Sequence, residues 1–256
     1  MEPERNHAWY FIHNNLGYSL NQLGQFAEGE KCCRDAIEIN PSRPNAHKNL
    51  GIALAGLGQY REAAEAFINA TYNNAGDTRS FGLLKKLLQE HPELEFDFQK
   101  QFTKCEQIVK FSDAAIKRAR AGKTLKVLVG TNEPKWKEMC VYVLRAMTGG
   151  AVEIYLTTRF NDLIEKGCAE NFDLGFFTPM FLVQAASSEC DPWVDAVLAV
   201  RKIKGNRRTA LVLAGVAGDV ERHTQTCLGA GADAVLEMSF EADSLVTATC
   251  KVLGQS

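Results

Sequence analysis

The stretch LGYSLNQLGQFAEGEKCCRDAIEINP, residues 16–41, is followed 34 residues later by LGIALAGLGQYREAAEAFINATYNNA, residues 50–75. The two copies align without a gap, and both contain Leu-Gly-Gln followed by an aromatic residue. Self-similarity at a fixed period of this size indicates an array of helical hairpins that bury each other's faces. We place the two copies at residues 10–43 and 44–77.

Small residues occur in both copies where two antiparallel helices would approach closely, and large apolar residues lie between them. The small residues are Gly17, Gly29 and Ala36 in the first copy and Gly51, Ala63 and Ala70 in the second. This pattern resembles the tetratricopeptide repeat. The resemblance implies a repeat region over residues 1–93, with a partial third copy at 78–93. Apolar spacing over 94–121 predicts a further helix, so 94–123 is assigned as a capping and connecting helix.

In the repeat family, the first helix of each hairpin lines a groove that binds peptide segments of partner proteins, mainly through helix positions two, five, six and nine. Transferred by frame, the predicted groove residues are Asn14, Asn15, Tyr18, Asn45, Lys48, Asn49, Arg79 and Lys86, with Phe11, Ile52, Gly82 and Leu83 at the remaining positions. An amide side chain can pair with both the donor and the acceptor of a peptide bond, and the cations would attract a carboxylate. The alternative is that the asparagines bond locally and the cations are solvated.

From Thr124 onwards, short apolar runs alternate with amphipathic segments, which indicates a parallel sheet with crossover helices. We predict a five-stranded, doubly wound, flavodoxin-like domain over residues 124–256, with any ligand at the carboxyl ends of its strands. The fold class is therefore α followed by α/β. The predicted strands are KVLVG from Lys126, VEIYL from Val152, LGFF from Leu174, ALVLA from Ala210 and AVLEM from Ala234.

Three segments of this half resemble the response-regulator receiver domain. KVLVGTNEP, from Lys126, stands where that family has its first strand and an acidic pair. FDLGFFTPM, from Phe172, stands where the family has the phosphorylated aspartate. GAGADAVLEMSF, from Gly229, matches the turn, fifth strand and lysine of the family and is the most specific of the three.

The residues that carry receiver chemistry are replaced at the matching positions. Thr131 and Asn132 stand for the acidic pair, Thr178 for the phosphorylated aspartate, Gly215 for the hydroxyl residue and Met238 for the lysine. Receivers bind Mg²⁺ through hard carboxylate oxygens. The resemblance therefore implies a pseudo-receiver that cannot be phosphorylated and holds no metal. The general flavodoxin-like fold without receiver ancestry is the alternative.

These patterns predict a non-enzymatic adaptor for bacterial signal transduction, with a partner peptide in the repeat groove and a second protein on the pseudo-receiver. In true receivers, the face formed by the fourth helix, fifth strand and fifth helix carries the partner contacts. The resemblance therefore implies a second surface that includes Arg222, Thr226, Met238, Phe240 and Leu245. A small-molecule sensor that uses the remodelled strand ends is the alternative. We find no catalytic residue pattern and expect no cofactor.

Composition supports an ordinary globular protein. Hydrophobic residues make up 46% of the chain and charged residues 23%, and the formal net charge is −2, which argues against a nucleic-acid-binding surface. The eight cysteines show no metal-ligand spacing, so we expect buried, reduced thiols and a cytoplasmic location. The start MEPERNHAWYF has no apolar core, and no long apolar run follows, so neither secretion nor a membrane span is expected.

Overall fold

A computed structural model describes residues 3–179, 192–205, 209–238 and 242–253. The chain packs into two compact units, residues 1–112 and 113–256. The division falls inside the stretch 94–123 that the sequence assigns to a capping and connecting helix. Each unit is described by itself below.

The first unit is helical, as the repeat predicts. The helices are α1 (Pro3–Gln22), α2 (Phe26–Ile39), α3 (Pro44–Gly56), α4 (Tyr60–Asn73) and α5 (Thr78–Glu90), followed by a 3₁₀ turn (Pro92–Leu94) and α6 (Glu95–Arg120). Helices α1 and α2 form the first hairpin, α3 and α4 form the second, and α2 packs on α3. The predicted hairpins are therefore confirmed. In the described chain α1 begins at Pro3, ahead of the repeat frame.

Matching glycines end the first helix of each hairpin. Gly24 and Gly58 have φ angles of 76° and 77°, in the left-handed region that side-chain-bearing residues rarely adopt. The backbone N–H of Gln25 donates to the Leu20 carbonyl at 3.0 Å, and that of Gln59 donates to the Leu54 carbonyl at 2.9 Å. These bonds satisfy carbonyl groups that a helix end leaves unpaired.

Replacing Gly58 with alanine is expected to destabilise the first unit by about 1–2 kcal/mol, because the added Cβ disfavours the left-handed backbone. Gly82 is the matched control, since both positions leave open space for a Cβ, but Gly82 lies inside α5 without a positive φ. Alanine at Gly82 is expected to stabilise by about 0.5–1 kcal/mol. Urea unfolding followed by circular dichroism measures both, and a change of the same sign at both sites would contradict the backbone explanation.

The core of the first unit lies between α3, α4, α5 and α6. All six predicted small residues are buried. A Cβ added to Gly17 would lie 2.6 Å from the Cys33 sulfur, which confirms the close approach of α1 and α2. Phe98 and Cys105 of α6 join the apolar cluster that contains Leu84 and Leu87 of α5, so α6 packs on the core of the first unit.

The second unit contains a parallel sheet. Its strands are β1 (Leu125–Gly130), β2 (Val152–Thr157), β3 (Leu174–Phe177), β4 (Ala210–Gly215) and β5 (Ala234–Glu237). They pair in the order β2-β1-β3-β4-β5, and every pair is parallel. This is the strand order of flavodoxin-like doubly wound sheets. The predicted five-stranded parallel sheet is confirmed.

The connecting helices are α7 (Pro134–Met147), α8 (Phe160–Ala169), α9 (Pro192–Lys204), α10 (Ala217–Gly229) and α11 (Ala242–Leu253). Helix α7 packs against α11, whereas α9 packs against both α8 and α10. The central strands β1, β3 and β4 are buried almost throughout, which explains their unbroken apolar sequences.

No disulfide joins the seven cysteines that the structure describes. Cys33, Cys105, Cys140 and Cys227 are buried, in agreement with the sequence prediction, whereas the other three are only partly buried. Burial raises the pKa of the Cys33 and Cys140 thiols to about 12, so these two side chains are unreactive thiols at neutral pH. Cys190 lies outside the described residues.

Within the described ranges, none of the helices is both long enough and apolar enough to cross a membrane.

Candidate functional site

A chain of amide hydrogen bonds joins the first helices of the two hairpins. Asn49 of α3 donates through Nδ2 to Asn14 Oδ1 of α1 at 3.1 Å. Asn14 in turn donates to Asn15 Oδ1 at 3.2 Å. The side chain of Asn21 donates to the Asn49 backbone carbonyl at 2.8 Å, in a buried contact. These bonds fix α1 against α3, because buried amides are costly unless they are paired.

Burial separates the predicted groove asparagines into two kinds. Asn14 and Asn49 are buried, whereas Asn15 and Asn45 are exposed. Asn14 and Asn49 were predicted to face a partner, but their burial and hydrogen bonds instead make them part of the α1–α3 contact. The exposed members of the predicted set are the ones that a partner can reach.

Two aromatic side chains stand on α1 beside Asn15. Phe11 is 39% exposed and Tyr18 is 50% exposed, which is high for residues of this size. We use the name groove face for the accessible predicted positions on the first helices. Its members are Phe11, Asn15, Tyr18, Asn45, Lys48, Ile52, Arg79, Gly82, Leu83 and Lys86.

The cations of the groove face have partners within the chain. Lys48 Nζ donates to Asn45 Oδ1 at 3.5 Å. Burial, with a further contribution from the nearby Arg79 charge, lowers the pKa of Lys48 below its ordinary value. An anion beside Lys48 would relieve this penalty, because an opposite charge favours the charged form. The Nζ atom of Lys86 lies 3.7 Å from Oε1 of Glu90, which is on the next turn of α5.

Arg79 is held by Asp77. Its guanidinium donates twice to the Asp77 carboxylate, at 2.8 and 2.6 Å, and the same carboxylate caps the start of α5 by accepting from the Arg79 backbone N–H at 3.1 Å. These bonds lower the pKa of Asp77 below its ordinary value. Arg79 is exposed, so the ion pair itself adds little stability, but it fixes where the positive charge lies.

His47 fastens the start of the second hairpin, and sequence reasoning did not single it out. The ring is buried, and Nε2 lies 2.7 Å from the Pro41 carbonyl, so Nε2 carries the proton and donates it. The same carbonyl also accepts from Asn73 at the end of α4. Burial lowers the pKa of His47 below 6.5, and the hydrogen bond to Pro41 only partly offsets this effect.

The first unit is therefore expected to lose stability as the pH falls from 7 to 5. The unfolded chain takes up a proton on His47 near pH 6.5, whereas the folded chain resists it, so acid favours unfolding across that window. Replacing His47 with glutamine keeps an N–H donor for the Pro41 carbonyl but removes the titratable group. Urea unfolding at several pH values should show a smaller pH slope in the variant, and an unchanged slope would assign the effect to other groups.

At the carboxyl ends of the central strands, the structure brings two predicted residues together. Thr178 Oγ1 donates to Thr131 Oγ1 at 3.0 Å, and both threonines are buried. The Thr131 hydroxyl oxygen also accepts from the Glu133 backbone N–H at 3.1 Å. Asn132 is exposed beside them. The pair is neutral and hydrogen-bonded to itself, where a metal site would need carboxylates.

The remaining two predicted residues, Gly215 and Met238, lie at the carboxyl ends of β4 and β5. Gly215 ends β4, and the backbone N–H of Met238 donates to its carbonyl at 2.7 Å. A Cβ on Gly215 would lie 2.5 Å from the Trp193 ring, and that ring stacks on His223 with centroids 5.0 Å apart. Trp193 therefore occupies the space where a larger residue at 215 would project. No sequence signal pointed to this contact between separate helices and strands.

Across the residues that the structure describes, no group of three or more His, Cys, Asp or Glu is placed to hold a metal ion. Of the predicted second surface, Arg222 and Thr226 are exposed, but Leu245 is fully buried and is a core residue. Phe240 lies outside the described residues, as does most of the loop after Thr178.

Comparisons with known proteins support the repeat. The tetratricopeptide repeat family model matches residues 10–43, the bounds that the sequence predicts for the first copy. No curated protein sequence matches the chain. Among solved structures, an O-GlcNAc transferase mutant from Thermobaculum terrenum aligns over 96% of this chain and 77% of its own, with 11% identity and a TM-score of 0.33. A TM-score that low carries no argument about fold or activity.

Proposed function

We propose that this protein is a non-enzymatic interaction scaffold whose groove face binds a peptide segment of a partner. The observation that carries the proposal is the tetratricopeptide repeat itself, matched at residues 10–43 and repeated in α3 and α4. Repeats of this kind build extended binding surfaces from neighbouring hairpins. The groove face supplies what such a surface needs, since aromatic, amide and cationic side chains remain accessible on the first helices.

The chemistry of the groove face favours an extended peptide that carries an acidic residue. Asn15 and Asn45 are exposed amides that can pair with peptide bonds. Phe11 and Tyr18 offer apolar surface with little entropy to lose on binding. Lys48 lies on α3, and burial disfavours its charged form, so a carboxylate beside it gains more than it would beside a solvated lysine.

The groove is tested by capturing partners on the full chain and on the variant Asn15→Ala/Lys48→Ala. The matched control is Lys31→Ala/Asn69→Ala, which removes the same two residue types from exposed positions on the second helices α2 and α4. We expect a partner that binds the native chain and the control but binds the groove variant at least about tenfold more weakly, as the loss of roughly 1.4 kcal/mol predicts. A partner that the two variants weaken equally would refute the groove.

The second part of the proposal is a receiver-like unit that cannot be phosphorylated and offers another protein surface. The strand order and the Thr131–Thr178 hydroxyl pair support it, because a neutral hydroxyl at 178 forms no acyl phosphate. Arg222 and Thr226 on α10 are the accessible candidates on this surface. Beryllofluoride with Mg²⁺ is expected to produce no spectral change near Thr178, and a clear change there would overturn this part.

A small-molecule sensor is the second candidate, and the buried Thr131–Thr178 pair is the observation that favours it. Hydroxyl groups beside the exposed amide of Asn132 suit an uncharged polar ligand. A ligand that binds only the folded chain raises its melting temperature. A thermal-shift screen on the native chain and on Thr178→Val therefore separates the two functions: a hit that depends on Thr178 would favour the sensor.

A further inference from the structure

The outward side of α1 carries an apolar stripe that the described residues of the first unit leave exposed. Trp9, Ile12, Leu16 and Leu23 are 52%, 54%, 48% and 74% exposed. Trp9, Ile12 and Leu16 lie on α1, and Leu23 directly follows its last residue. Steps of three and four residues place the first three on one side of the helix, and a further step of seven reaches Leu23 on the same side. We call this set the α1 stripe. It is distinct from the groove face, because at 3.6 residues per turn the two lie roughly 120° apart on α1.

The second hairpin has positions on α3 that correspond to the α1 stripe. Thirty-four residues further along, Ile12 and Leu16 match Ala46 and Leu50. Trp9 matches Arg43, and Leu23 matches Leu57, which is 38% exposed. Ala46 is fully buried and Leu50 is 7% exposed, because the first hairpin packs on this side of α3. Ala46, for example, clusters with Tyr10 and Ala36, and the ring of Phe26 lies against Gly56. Ile12 and Leu16, at the centre of the α1 stripe, therefore occupy the positions that form a helix-packing surface on α3.

The charge pattern of this region favours an identical partner. Residues 8–27 contain no lysine, arginine, aspartate or glutamate. In a two-fold dimer the same patch meets itself, so any charge near the axis would face its own copy. An uncharged stripe avoids that repulsion and leaves apolar burial as the driving force.

The spacing of the stripe is also self-complementary. Trp9 and Leu23 lie seven residues on either side of Leu16, over a span of about 21 Å at 1.5 Å per residue. Two copies of α1 running antiparallel would place Leu16 against Leu16 at the axis, and Trp9 against Leu23 at each end. The largest side chain thereby meets the most exposed leucine.

We propose that the α1 stripe is a dimerisation surface, where α1 packs antiparallel on α1 of a second copy of this chain. The proposal does not depend on the proposed peptide groove, since the two faces share no residue. A dimer of this kind leaves both groove faces accessible, because they lie on other sides of the helices.

The test is sedimentation equilibrium of the full chain over a wide concentration range. The native chain is expected to show a monomer–dimer equilibrium, and Leu16→Glu is expected to weaken the dimer on the order of 100-fold or more, because it buries two facing carboxylates. Tyr18→Glu is the matched control, since it introduces the same charge at an equally exposed site on the groove face. It should leave the dimer intact.

A cross-linking measurement fixes the geometry. Leu16→Cys places two thiols at the proposed axis, within the short Cβ separation that a disulfide needs, whereas Tyr18→Cys does not. Oxidation should therefore give a covalent dimer through the first variant alone. The proposal fails if the native chain is monomeric at all concentrations, if its dimer withstands Leu16→Glu, or if a helix of another protein binds the stripe while the native chain stays monomeric.

Discussion

Replacing Phe67 with alanine is expected to lower the free energy of unfolding of the helical unit by about 3–5 kcal/mol. The ring is 2% exposed and fills the space that Gly51 leaves open, since a Cβ on Gly51 would lie 2.5 Å from it. It belongs to the cluster that joins α3, α4 and α5. Truncation leaves a cavity at the place where the two helices of the second hairpin meet.

Phe96→Ala is the control for Phe67→Ala. It is the same substitution at a phenylalanine that is 88% exposed, so its effect is expected to stay within about 0.5 kcal/mol. Urea unfolding of the full chain, followed by circular dichroism, gives both values. Similar losses at the two positions would contradict the packing described for the second hairpin.

Trp193→Ala is expected to destabilise the second unit by about 3–5 kcal/mol, because the buried ring packs over Gly215 and stacks on His223. Placing a threonine at Gly215, as a receiver-like hydroxyl, is expected to cost about 1–3 kcal/mol in the native chain, since its Cβ meets the ring. Circular dichroism in urea measures each variant.

The double variant Gly215→Thr/Trp193→Ala separates steric conflict from other causes. Removal of the indole makes room for the threonine, so the combined loss should be smaller than the two separate losses together by about 0.5–3 kcal/mol. Strictly additive losses would show that Trp193 does not occupy the space above Gly215.

The repeat predicted most of the first unit, because each hairpin is formed by contacts between helices that are adjacent in the sequence. A 34-residue offset fixes which residues must be small, and the buried Gly17, Gly51 and Ala63 follow from it. The sheet was equally readable, because the strands β1, β3 and β4 are buried on both faces and therefore carry unbroken apolar runs.

The candidate site was harder to predict, because equivalent sequence positions do not have equivalent neighbours. Asn15 and Asn49 occupy the same place in the repeat, yet Asn49 is buried against α1 while Asn15 is exposed. The 34-residue repeat shows which positions are equivalent, but the neighbouring helix decides whether the side chain at such a position is buried or accessible to a partner. The contact of Trp193 with Gly215 joins α9 to β4 and depends on tertiary packing, which no periodicity reports.

The order of the strands has a consequence for folding speed. Each hairpin of the helical unit closes between helices adjacent in sequence, whereas β1 must pair with β3, whose partner residues are 47 positions away. Closing longer loops costs more chain entropy before any contact is gained, and folding slows as contacts become less local. Refolding should therefore have two phases, with helix signal recovered before the tryptophans of the sheet unit are buried. The repeat precedes the sheet along the chain, so during synthesis it emerges first and folds while the sheet is still incomplete.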